Sequence, residues 1–80
     1  MKPHPSYSVA RIFGSGRGSV ERLEFPGRAA AFTYIDETAA DGETNAAIAV
    51  DERGVVAHFR RFTGTYTPTD IGRRAGIWIA

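Results

Sequence analysis

The sequence predicts a mostly β domain: a small antiparallel sheet of about five or six short strands, curled into a barrel or half-barrel, with room for one short helix near the C-terminus. Three observations carry this expectation. Residues 46–62 (AAIAVDERGVVAHFRRF) set two apolar runs on either side of Asp51-Glu52-Arg53-Gly54. There the aspartate can bond its own backbone and the glycine can take the positive φ that closes a hairpin. The large apolar residues are mostly Val, Ile, Phe, Tyr and Trp, with a single leucine, Leu23, a balance that favours strands over helices. Nine Gly and four Pro in 80 residues interrupt the chain often, which keeps each element short. Curling protects the edges of such a sheet.

Taken in order, residues 1–6 carry prolines at positions 3 and 5 and read as a flexible tail, with His4 solvated. Residues 7–80 read as one small β domain. Residues 7–13 (YSVARIF) form a strand that puts Tyr7, Val9, Arg11 and Phe13 on one face. Residues 14–18 (GSGRG) are a loop. Residues 19–25 (SVERLEF) are a second strand with imperfect parity: Val20 faces away from Leu23 and Phe25. That calls for a bulge near Glu21 and Arg22, or a short helical turn. Pro26-Gly27 is a turn signal. Residues 28–35 (RAAAFTYI) are apolar on both faces, like a strand buried on both sides.

Residues 36–45 are a polar, acidic loop with at most one helical turn. In the second arm of the hairpin, alternation puts Val55, Ala57 and Phe59 on a core face, and Val56, His58, Arg60 and Phe62 on the other. Residues 63–69 are a loop anchored by Tyr66. Residues 70–80 fit either of two patterns. One is a helix capped by Thr69 and running through Ile71, Ala75 and Trp78. The other is a loop ending in a strand over residues 76–80 (GIWIA). Gly72 and Gly76 would each weaken the helix by about 1 kcal/mol, so the strand is preferred.

Charge and composition narrow the function. The net charge is +1, yet six acids and no base lie between Asp36 and Glu52, with basic flanks on either side. Nine of the ten cations are arginine, the one that forks onto phosphates and stacks on rings. The abundance of Ala, Gly and Arg is a bacterial-like, GC-rich signature. No cysteine is present, which removes disulfides and thiolate metal sites and fits a cytoplasmic location. The N-terminus has no apolar signal core, and no apolar run approaches the roughly 18 residues of a membrane span. No membrane partner is expected.

Catalytic residues, metal ligands and cofactors are not expected either. The two histidines have no cysteine or carboxylate pattern around them, no serine sits in a G-x-S-x-G elbow, and G-S-G-R-G has no phosphate-loop spacing. The expectation is a non-enzymatic binding module. Its candidate contacts with single-stranded nucleic acid are Arg22, His58, Arg60, Phe62, Tyr66, Arg73 and Arg74, because arginines neutralise phosphates and rings stack on unpaired bases. The alternative is a protein-interaction or self-assembly module, or the N-terminal part of a larger protein. Ile77, Trp78 and Ile79 would be its interface, since an apolar chain end calls for cover. Residues 18–35 loosely resemble the opening hairpin of cold-shock domains. Glu21, Arg22 and residues 29–31 (AAA) stand where those domains carry stacking aromatics, so no family is assigned.

Overall fold

The computed structural model describes residues 6–80. The expected tail, apart from Ser6, lies outside the described residues, and His4 with it. The elements are β1 (Tyr7–Phe13), β2 (Ser19–Phe25), α1 (Arg28–Thr38), β3 (Thr44–Asp51), β4 (Val56–Arg61) and α2 (Pro68–Ala75). One antiparallel sheet has the order β2-β1-β3-β4. The β1–β2 hairpin hands the chain to α1, which crosses β1 and delivers β3 to its far side. The sheet stays open, with β2 and β4 as its edges. The barrel or half-barrel of five or six strands is therefore not formed. Helices cover both faces, so the sheet buries them without closing on itself.

Each face has its own core. On one, Ala10, Ile12, Ala46, Ile48 and Val50 pack with Ile71 of α2 and with Ile77. On the other, Val9, Ala47 and Ala49 pack under Ala31 and Ile35 of α1. The alanines of β3 leave room for α1 to lie close to the sheet, and β3 is buried on both sides.

Residues 28–35 are helical, not a strand. Three successive alanines favour helix, and Ala31, Ile35 and Thr38 bury one stripe at i, i+4 and i+7. Phe32 and Tyr34 stand on opposite shoulders of that stripe, which makes the segment look apolar on both sides. Nor is β2 bulged or helical: it pairs with β1 residue for residue, from Tyr7↔Phe25 to Phe13↔Ser19. Its parity is irregular because neither Val20 nor Leu23 is core; each is 37% exposed on this edge strand.

The Asp51–Gly54 turn forms as its chemistry requires. Arg53 and Val55 donate backbone N–H bonds to Asp51 Oδ1 at 2.8 and 3.0 Å, and Gly54 sits at φ +83°. The bulge lies in β4. Ala49 pairs with His58 and Val50 with Val56, so Ala57 is the extra residue. Val56 and Phe59 consequently both pack against the α2-side core. The expected grouping of Val55 with Ala57 and Phe59 fails, and Val55 is 48% exposed.

At the C-terminus the helix prevails over the strand. Its cap is Thr67 rather than Thr69: the Thr67 hydroxyl accepts from Asp70 N–H at 3.2 Å, Pro68 opens the helix, and Gly76 ends it at φ +71°. Residues 76–80 are an irregular segment, not a strand. It is pinned by Ile77 N–H to Gly72 O at 2.8 Å and by Ala80 N–H to Gly54 O at 2.9 Å. Among the described residues, no helix is long and apolar enough to cross a membrane.

Candidate basic-aromatic site

Residues 28, 32 and 36 recur every four positions, so Arg28, Phe32 and Asp36 line one shoulder of α1. That shoulder faces β4, where His58 and Arg60 project to the α1 side because the bulge lies before them. The His58 imidazole stacks on Phe32, with centroids 4.7 Å apart and planes 20° apart. The Arg28 guanidinium lies 4.9 Å from the centroid of the same ring, and Tyr7 meets it edge-on at 6.4 Å. Arg60 Nη1 donates to Asp36 Oδ1 at 3.1 Å, and its guanidinium lies 5.1 Å from the Phe62 centroid. His58 Nε2 is buried without a hydrogen-bond partner; Asp36 Oδ1 is 3.6 Å away. The result is a row of cations layered on rings, closed by one carboxylate. Such a row can offer N–H donors to an anion and a flat face to a planar ring.

The other sequence-nominated arginines are elsewhere. Arg22 is on the α2 side, where Nη1 donates to Gly76 O at 2.9 Å and Nε to Glu24 Oε1 at 3.0 Å. Arg74 donates to Arg17 O and Gly18 O at 2.7 and 2.8 Å. Arg73 is exposed in the last turn of α2. Tyr66 packs against the α2-side core. The fold thus brings His58, Arg60 and Phe62 together and puts Arg22, Tyr66, Arg73 and Arg74 across the sheet from them. Of the apolar trio, Ile77 is buried and Ile79 packs against the same core, while Trp78 is 71% exposed. Sequence reasoning missed Arg28, Phe32 and Asp36. Their i, i+4 spacing is the signal that could have found them.

A second cluster joins α1 to β1 and β2. Arg11 is largely buried, 4.0 Å from Glu21 and 3.9 Å from Asp41, with its guanidinium over Phe13 at 4.4 Å. Tyr34 donates its hydroxyl to Glu21. Burial first, then the bond to Glu21 and its charge, push the Tyr34 phenol up to about 12. Asp41 accepts N–H bonds from Glu43 and Thr44 at 2.8 and 2.9 Å, and the Glu43 bond leads in holding its carboxyl below the ordinary range. Arg11 Nε and Nη1 are buried without a hydrogen-bond partner, and the carboxylates of Glu21 and Asp41 on two sides of the guanidinium balance its charge and repel an anion. A depression lined by Ser6, Tyr7, Asp51, Glu52 and Arg53 carries no better chemistry, because turn bonds engage the Asp51 carboxylate. Among the described residues, no group of three His, Cys, Asp or Glu could hold a metal ion.

No family model matches the chain, and no curated protein or solved structure shows a significant match. The likeness to cold-shock domains also stops at β2, because α1 stands where their second strand would run.

Proposed function

We propose that this protein is a small non-enzymatic binding module that contacts single-stranded nucleic acid through Arg28, Phe32, His58, Arg60 and Phe62. The observation that carries the reading is the layering itself: Arg28 and His58 on Phe32, and Arg60 on Phe62. Binding single strands takes cations for phosphates and rings for bases, side by side. Affinity is modest, because the net charge is only +1 and Asp36 offsets part of Arg60. With Arg28 and Arg60 each neutralising one phosphate, the logarithm of the binding constant falls against log salt with a slope of about −1.4.

Fluorescence anisotropy with labelled single strands at about 50 to 200 mM salt tests this. Phe62→Ala and Arg60→Ala should each weaken binding by roughly fivefold or more, and Arg73→Ala, on the other face, should leave it unchanged. No binding at the lowest salt, or binding indifferent to salt, removes the proposal.

A further inference from the structure

The two edges of the sheet are not alike. β4 is guarded in the usual ways, with a bulge at Ala57 and the charged pair Arg60-Arg61 at its end. β2 carries charges of both signs, Glu21, Arg22 and Glu24, but no bulge, no proline and no glycine across its seven residues, and it exposes Val20 and Leu23 at 37% each. An edge of that kind is a template for a further strand.

We propose that two copies of this chain pair through β2, antiparallel and centred on Leu23, joining their four-stranded sheets into one continuous sheet. Charge selects both the partner and the register. In a two-fold pairing of identical strands, opposed residues share a face, so each possible register is centred on one residue facing its own copy. Centring on Glu21 or Glu24 opposes two carboxylates, and centring on Arg22 opposes two guanidiniums. Like charges directly across a ladder repel. Within one copy Arg22 Nε already meets Glu24 Oε1 at 3.0 Å; centring on Leu23 sets that pair beside the same pair of the other copy, Arg22 opposite Glu24 and Glu24 opposite Arg22, so that unlike charges alternate on the α2 side. On the α1 side it sets leucine against leucine. Of the registers centred on residues 21 to 24, the one on Leu23 alone opposes unlike charges, with Glu21 facing Phe25 of the other copy at its ends. Only residues 21–25 pair face to face, so the dimer is weak and concentration-dependent. The contact uses the edge opposite β4 and leaves the basic-aromatic row clear, so it stands whether or not that row binds nucleic acid.

Sedimentation across about 10 µM to 1 mM protein tests this, with circular dichroism to confirm folding. The wild type should dimerise. Arg22→Glu and Glu24→Arg should each raise the dissociation constant by about tenfold or more, since each turns two attractive pairs into repulsive ones. An equimolar mixture of the two variants restores opposite charges across the ladder and should regain the dimer. Arg22→Glu also gives up the bond to Gly76. Should that variant not fold, Glu24→Arg and Leu23→Lys decide the matter as folded monomers. A monomeric wild type throughout, either of those two variants dimerising like the wild type, or a mixture of two folded variants that stays monomeric overturns the proposal.

Discussion

A pair of alanine substitutions measures how firmly the C-terminal segment is docked. Gly42 and Gly54 have similar backbones, at φ +74° and +83°. Alanine in that region costs about 1–2 kcal/mol at either position. At Gly42 the new methyl meets open space. At Gly54 it lands on the Trp78 ring and 2.9 Å from Ala80 N. The ring and the chain end must then move, and the 2.9 Å bond from Ala80 N–H to Gly54 O is lost, for about 1 kcal/mol. Loosened packing around Ile77 and Ile79 adds to this. Gly54→Ala is therefore expected to cost about 2–4 kcal/mol and Gly42→Ala about 1–2 kcal/mol. A domain of this size holds only about 4–12 kcal/mol in all, so urea midpoints at constant m resolve the difference. In a Trp78→Ala background the Gly54→Ala penalty should fall toward that of Gly42→Ala. If the two single variants agree within about 0.5 kcal/mol, the tail is not seated on the turn as described.

Two further predictions concern single side chains. The Val55 N–H bond, followed by that of Arg53, holds the Asp51 carboxyl below its ordinary range. The folded value is depressed, so this stabilisation is present above the unfolded value and is lost as pH falls through the folded one, from about pH 4 downward. Asp51→Asn keeps an acceptor without the charge and should flatten that part of the stability–pH curve, whereas Asp51→Ala should also lower stability at neutral pH; an unchanged acid slope in Asp51→Asn would contradict the assignment. Arg74→Ala should cost about 1–2 kcal/mol and speed amide exchange in residues 14–18, because its guanidinium holds the Arg17 and Gly18 carbonyls. Arg73→Ala should stay within about 0.5 kcal/mol of wild type; equal effects would mean that the Arg74 contacts do not matter.

What could be read from the sequence follows the range of the interactions. The Asp51–Gly54 turn was legible because its bonds are local, from a side chain to backbone a few residues on. The helix signals of α2 were all present: Thr67, Pro68, Asp70, Arg73, Arg74 and Gly76 occupy the places capping rules assign them. They were outweighed because Gly72 and Gly76 counted against a helix. Yet Gly76 terminates it, and Gly72 is where Ile79 packs. α1 was hidden because its aromatic shoulders mimic a strand buried on both sides. Within the candidate site, alternation correctly placed His58 and Arg60 on one face. Arg22, Arg73 and Arg74 were grouped with them by charge alone, and charge does not report which side of the sheet a residue occupies. Arg22 and Arg74 spend their guanidiniums on backbone carbonyls there.

The bulge at Ala57 links fold to candidate site. Without the extra residue, Val56 and His58 would share a face, and β4 would lose either the Val56 contact with the α2-side core or the stack of His58 on Phe32. With it, Val56 and Phe59 fill one face while His58 and Arg60 reach α1 across the other. Asp36 then bridges the helix to that strand. The polarity of the sequence is partly settled in the same way: Asp36 of the acidic middle meets Arg60 of the basic flank, and Asp41 and Glu21 meet Arg11. Arg28 and Arg61 have no carboxylate partner among the described residues. Arg28 lies in the row and Arg61 leaves the opposite side of β4. The positive charge left over at the row is therefore small, which is why the proposed contact with a single strand is weak and draws on stacking as much as on charge.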